Sequence, residues 1–163
     1  MQTLEEHHTV ISFSCGIDAL DRYFQQQAIH EVRRRVAAAF VLVDNVSPHI
    51  LGYYTLSAEV IDVEDLSPEI AKKLPRYPRL PATLIGRLAV AQNCQGQGIG
   101  EFLLIDALKR SLENASTIGS IAVVVDTLEE RARQFYLYYD FIPFQDSPKR
   151  LFLPMKTIEK LLR

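Results

Sequence analysis

Six residues, Gln95-Gly96-Gln97-Gly98-Ile99-Gly100, constrain this chain more than any others. Their three alternating glycines stand between two apolar runs of different kind. The run before, Ala82 to Val90, is aliphatic and β-branched and suits a strand. The run after, Glu101 to Leu112, places Phe102, Leu103, Ile105, Ala107, Leu108 and Leu112 at helical spacings. The order is strand, glycine loop, helix. Glycine lets the backbone turn sharply and removes side chains that would block a ligand. A helix start points unpaired N–H groups outward with a partial positive charge. The stretch can therefore seat a phosphate-bearing ligand, or it can merely turn the chain into its helix. Spacing excludes two ligand classes. A dinucleotide fingerprint needs glycine where Ile99 or Glu101 stands, and a P-loop needs Gly-Lys followed by Ser or Thr.

The 163 residues suffice for one domain, residues 1–163, with a sizeable core. Apolar residues make up 48% and charged ones 23%, a soluble composition. No apolar run has transmembrane length, and the start lacks a secretory pattern. Cys15 and Cys94 fit a reducing cytoplasm better than a disulfide scaffold. A net charge of −2 argues against a coat of basic charge but leaves room for a local patch.

Along the chain, Glu5, Glu6, His7 and His8 read as a solvated lead-in without the further ligands a metal needs. Val10 to Ser14 alternates and reads as a first strand. Ile17, Leu20, Phe24 and Ala28 give a helix one apolar face, and the helix continues to Arg33-Arg34-Arg35. Those arginines form either a solvated helix end favoured by the dipole or an anion site. Strands follow at Phe40–Asp44 and Ile50–Val60. Ser67-Pro68-Glu69 opens a short helix, and Lys72, Lys73, Arg76 and Arg79 lie close together after it. The wholly apolar Ile121–Asp126 reads as a buried strand. Thr127-Leu-Glu-Glu130 reads as a capping box opening another helix. Arg150 to Met155 is a last strand and Ile158 to Leu162 a helical tail. The order predicts an α/β fold with a mixed central sheet and helices on both faces.

A second motif gives the glycine loop its context. Ala132-Arg-Gln-Phe135-Tyr136-Leu-Tyr-Tyr-Asp140-Phe141 resembles the second signature of the GNAT family of N-acetyltransferases, Ala-x-x-Phe-Tyr-x-x-x-Gly-Phe. Gln95 to Gly100 resembles that family's Gln-x-x-Gly-x-Gly pyrophosphate loop. Asp140 stands where the family has glycine, at a position that favours left-handed backbone. Within the family, Phe13 to Phe24, Gly52 to Ser57, Leu74 to Pro78 and Gly86 to Val90 resemble the acetyltransferase toxins of bacterial toxin–antitoxin modules.

The resemblance implies an acetyl-CoA-dependent N-acetyltransferase fold without a metal. Gln95, Gly96, Gln97, Gly98, Ile99 and Gly100 would cradle the pyrophosphate, and Leu88, Ala89 and Val90 would meet the pantetheine arm. Tyr136 would be the general acid for the leaving thiol; its other reading is a core aromatic. The toxin likeness implies the α-amino group of aminoacyl-tRNA as acceptor, a ribbon-helix-helix antitoxin as partner, a homodimer, and no membrane. Arg33, Arg34, Arg35 and Arg87 are the candidate RNA contacts; Arg87 could instead form a structural ion pair, and Lys149-Arg150 could extend the patch. Asp126 and Glu129-Glu130 are candidate bases by location, the pair also suiting a helix cap. Nothing beside Cys94 supports a covalent acetyl-cysteine. Two other readings remain: acetylation of a small amine or protein terminus, and a non-catalytic binding module.

Overall fold

The computed structural model describes residues 1–163. Its elements are β1 (Gln2–Thr3), α1 (Asp18–Gln26), α2 (Ala28–Arg33), β2 (Ala38–Val43), β3 (Ile50–Asp62), α3 (Pro68–Ala71), β4 (Arg79–Val90), α4 (Ile99–Ala115), β5 (Ala122–Asp126), α5 (Glu130–Tyr138), β6 (Ile142–Phe144), β7 (Ser147–Pro154) and α6 (Met155–Leu161). Short 3-10 turns lie at Val63–Asp65 and Gln92–Cys94. The strands form one sheet in the order β1-β2-β3-β4-β5-β7-β6. β4 and β5 run parallel, as a crossover through α4 demands, while β1–β2, β2–β3, β5–β7 and β6–β7 are antiparallel. This is the mixed α/β sheet expected.

Packing divides the chain into two units, Met1–Ser57 with Gly86–Ala107, and Ala58–Ile85 with Leu108–Arg163. The core of the first is a cluster of rings. Phe24 stacks on Tyr53 at 4.2 Å, and Phe13 meets both edge-on at 5.1 and 5.5 Å. Tyr53 is fully buried, so its hydroxyl needs a partner and donates to the Leu20 carbonyl at 2.8 Å. Gly52 also belongs here. A Cβ on it would lie 2.7 Å from Leu103 and 2.9 Å from the Ala89 carbonyl, so only glycine lets the end of β4 approach β3. In the second unit, β5 is buried from Ala122 to Val125, as a strand covered on both faces must be. Phe144 and Phe152 pack there at 4.9 Å.

Four expectations need correction. Val10–Ser14 is not a strand; β1 lies earlier, at Gln2–Thr3. Its carbonyls serve other partners: Phe13 accepts from the Gln25 amide at 2.9 Å and Ser14 from the Gln92 N–H at 2.8 Å. The first helix breaks at Gln27 (φ −117°), although Phe24 and Ala28 on either side of the break are both buried. Thr127 does not open a capping box. Its hydroxyl donates to the Lys149 carbonyl at 2.7 Å, and α5 starts after Glu129 without a side-chain cap. β6 has no counterpart in the sequence reading, being only three residues long. Ser67, by contrast, caps α3 as expected, accepting from the Ile70 N–H.

α5 ends in a full left-handed cap. Asp140 has φ +69°, its N–H bonds the Leu137 carbonyl at 3.0 Å, and the Phe141 N–H bonds the Tyr136 carbonyl at 3.2 Å. Asp140→Gly should raise stability by about 0.5–1 kcal/mol, the relief of left-handed backbone less the added freedom of the unfolded glycine. A thermal melt should show a midpoint higher by about 1–4 °C; a lower midpoint would mean that the aspartate side chain stabilises the turn.

Candidate active site

In the first unit, β4 ends by handing its hydrogen bonds to a loop. The Ala91 N–H reaches the Leu51 carbonyl at 2.8 Å, and the turn Gln92–Cys94 follows. The Gln95 side-chain amide then donates to the Cys15 carbonyl at 2.9 Å and the Val90 carbonyl at 3.1 Å. Gln95 thus acts as a strut that ties the loop to β4 and to the N-terminal segment. Gly96 and Gly98 take φ +80° and +82°, and open space surrounds the position of a Cβ on either. They are needed for the left-handed backbone, and the space over them is what a ligand requires. Gln95 to Gly98 are exposed, while Ile99 and Gly100 open the first turn of α4. Leu88, Ala89 and Val90 form the strand end that leads in. The arrangement can cradle an anion: a left-handed glycine turn feeds the N-terminus of a 17-residue helix.

Three residues before the end of β4, the Arg87 guanidinium lies 3.5 Å from the centre of the Tyr23 ring. Its main-chain N–H donates to the Thr55 hydroxyl at 3.1 Å. The Tyr23 hydroxyl donates to Glu31 at 3.0 Å. Burial, and then that bond, push the Tyr23 phenol up to about 12, against the opposing charge of Arg87. Arg87 is therefore joined through Tyr23 and Glu31 to α2, two residues before the arginine triplet. It makes a cation–π contact rather than the structural ion pair considered from sequence. Within the triplet, Arg33 pairs with Glu6, whereas Arg34 and Arg35 are exposed. Arg35 has φ +62°, with its N–H on the Val32 carbonyl and the Val36 N–H on the Glu31 carbonyl. This is the same cap that closes α5, here with arginine at the position glycine favours.

In the second unit, Tyr136 stands on the last turn of α5. Its ring is buried and lies 5.1 Å from both Phe135 and Phe141. Burial pushes its phenol up, so it keeps its proton at neutral pH and gives it up less readily than a free tyrosine would. Tyr138 is 80% exposed, and Tyr139 packs on Phe135 at 5.1 Å, so neither shares that setting. Asp126 ends β5 opposite Arg150, which binds it at 2.9 Å and Glu59 at 3.1 Å. Arg150 is thus occupied by two carboxylates and adds nothing to a basic patch. A cleft of about 470 Å³ opens here, lined by Asp126, Thr127, Ser147, Pro148, Lys149 and Arg150. Glu130 pairs with Arg133 and Gln134, Arg79 pairs with Asp62, and Lys72, Lys73 and Arg76 are exposed. No three His, Cys, Asp or Glu residues cluster as metal ligands.

Sequence reasoning missed the parts played by Gly52, Tyr23 and Glu31. A glycine inside a strand run was the available signal for the first. Nothing local in sequence signals the other two.

These features agree with what known proteins show. The family model described as acetyltransferase (GNAT) family matches residues 12–141. A tRNA-acetylating toxin of Mycobacterium tuberculosis is 32% identical over 153 residues, covering 94% of this chain and 90% of the relative. The structure of AtaT complexed with acetyl-methionyl-tRNAfMet is 30% identical, with a TM-score of 0.91 over 99% of this chain and 98% of that one. A tyrosine-to-phenylalanine form of AtaT, bound to the C-terminus of the antitoxin AtaR and to acetyl-CoA, is 27% identical, with a TM-score of 0.82 over 99% and 96% of the chains.

The two cysteines offer a probe of the loop. Cys15 is buried, and burial and then Asp21 push its thiol up to about 11, so at pH 8 about one molecule in a thousand is thiolate. Cys94 is partly exposed beside the cradle. Iodoacetamide at pH 8 should modify Cys94 and spare Cys15, and acetyl-CoA should slow that modification, as read by peptide mass spectrometry. Labelling of Cys94 at the same rate with and without acetyl-CoA would separate the loop from the coenzyme site.

Proposed function

The chain belongs to the acetyltransferase (GNAT) family, and from that premise we propose that it moves the acetyl group of acetyl-CoA to the α-amino group of an aminoacyl-tRNA, blocking translation. What carries the reading is likeness across 94% of the chain to a tRNA-acetylating toxin. The AtaT complex with acetylated methionyl-tRNA supports it from structure. So does the arginine cluster at the end of α2, where exposed Arg34 and Arg35 follow the helix that Glu31 links to Arg87.

The residues divide the work as follows. Bound acetyl-CoA supplies an activated thioester. N–H groups of the loop from Gln95 to Gly100 and of the first turn of α4 hold its pyrophosphate, since they point outward without intrahelical acceptors. The backbone of Leu88, Ala89 and Val90 runs beside the pantetheine arm, and an N–H there meets negative charge as it develops on the acetyl oxygen. Tyr136 gives its proton to the departing sulfur. An α-amine loses its own proton near neutral pH, so a weak base or a water chain suffices. Arg33, Arg34, Arg35 and Arg87 contact the RNA, with Arg33 divided between that task and Glu6.

The proposal extends to a single catalytic domain over residues 1–163, a homodimer, a ribbon-helix-helix antitoxin and a cytoplasmic site of action. The AtaT complex with the AtaR C-terminus supports the antitoxin. No helix is long and apolar enough to cross a membrane.

Two outcomes test the roles. Tyr136→Phe should lower acetyl transfer by about a hundredfold or more while acetyl-CoA still binds; a mass-spectrometric assay of acetylated aminoacyl-tRNA and calorimetry read the two, and undiminished turnover would remove Tyr136 as the acid. Arg35→Gly should act in opposite directions. Relief of the left-handed arginine should stabilise the fold by about 1 kcal/mol. Loss of one phosphate contact should weaken tRNA binding and lower the slope of log affinity against log salt by about one. A gain in stability with unchanged tRNA affinity would make Arg35 a bystander.

A further inference from the structure

Arg87 is placed to do something other than neutralise a phosphate. The rings of the first unit form a continuous pile, Phe24 on Tyr53 at 4.2 Å and Tyr53 on Tyr23 at 6.5 Å with planes 22° apart. Arg87 closes the outer end of that pile, its guanidinium 3.5 Å from the Tyr23 ring centre. Tyr23 is buried and Arg87 only partly so, so the surface presented at this point belongs to the arginine. The assembly is rigid, because Glu31 fixes the Tyr23 hydroxyl, the Leu20 carbonyl fixes that of Tyr53, and Thr55 fixes the Arg87 main chain.

We infer that the Arg87 guanidinium, backed by Tyr23, is a stacking seat for one unpaired nucleobase at the single-stranded, acyl-bearing end of the RNA. The inference rests on the proposed function and specifies how this residue meets the acceptor. A planar guanidinium laid on an aromatic face extends the pile outward, and unstacked bases are commonly received on such planes. The Glu31 carboxylate lies just behind the pair, on the Tyr23 hydroxyl. It offsets part of the pull of the guanidinium on a phosphate and leaves a neutral base unaffected. Position also agrees. Arg87 is three residues from Val90 on one strand, about 10 Å at the usual rise, a separation that the last one or two nucleotides and the attached amino acid can span.

The test separates plane from charge. Arg87→Lys keeps the charge and loses the plane. The full chain and this variant are titrated with deacylated tRNA across a salt series, and again with tRNA carrying an abasic ribose in place of its terminal base, then of each of the two preceding bases. Wild-type acetylation of the charged tRNA is measured in parallel. Arg87→Lys should weaken binding by about fivefold or more, with the salt slope unchanged. One of the abasic substitutions should cost wild type the same factor and cost the variant nothing further. Wild-type affinity in Arg87→Lys, a reduced salt slope, or losses that multiply would each overturn the seat. A normal melting midpoint for the variant excludes loss of fold as the cause. Binding and stacking without wild-type acetylation would sink the proposed reaction and leave the seat standing; absence of tRNA binding would sink both.

Discussion

The last rung between β4 and β3, from the Ala91 N–H to the Leu51 carbonyl, decides what the following loop can be. Beyond it the chain has no ladder, and its polar groups must find partners elsewhere. They find them in the N-terminal segment. Ser14 accepts from the Gln92 N–H, and Cys15 accepts from the Gln95 side chain, which also reaches back to Val90. Gly52 makes this possible by letting the end of β4 lie against β3 without a Cβ between them. With the loop pinned at both ends, Gly96 and Gly98 can hold their left-handed turn and leave open space above it. The loop is held by hydrogen bonds made within the chain, an arrangement that lowers the cost of binding.

The second signature has an equally local explanation. From Tyr136 to Phe141 it spells a left-handed helix cap. Tyr136 supplies the carbonyl that accepts from the Phe141 N–H, Asp140 takes the positive φ, and Phe141 returns to pack on the Tyr136 ring. Helix end and buried phenol are therefore one object: the bond that stops α5 also fixes the backbone of the proposed acid. α2 ends with the same pair of bonds, but Arg35 sits at the strained position. Aspartate tolerates left-handed backbone through its short polar side chain, and arginine has no such help. An exposed arginine held where glycine would be more stable is the kind of local cost that accompanies function elsewhere.

Much of this was legible because it is local. The β4–loop–α4 order, the buried run of β5 and the cap of α3 follow from period, composition and turn chemistry over a few residues, and the structure bears them out. The failures share a cause, which is competition from partners far along the chain. Val10–Ser14 alternates like a strand, but its carbonyls serve α1 and the turn at Gln92. Thr127 has the spacing of a cap, but its hydroxyl goes to Lys149, 22 residues on. The helix after Ile17 keeps its apolar period through Ala28, yet it breaks at Gln27 as tertiary packing overrides propensity.

Charge shows the same limit most clearly. A sequence offers arginines as equals, and the folded chain does not keep them so. Arg33 goes to Glu6, Arg79 to Asp62, and Arg150 to both Asp126 and Glu59. With a net charge of −2, every such pairing withdraws a cation from any patch that RNA could use. What survives on the first unit is Arg34 and Arg35 exposed at a helix end, Arg22 exposed on α1, and Arg87 over the ring of a tyrosine. Few phosphate contacts imply a shallow salt dependence, so strong binding would need a contribution that salt does not screen. Stacking of a base on the Arg87 plane is a contribution of that kind, because it draws on a face rather than a charge.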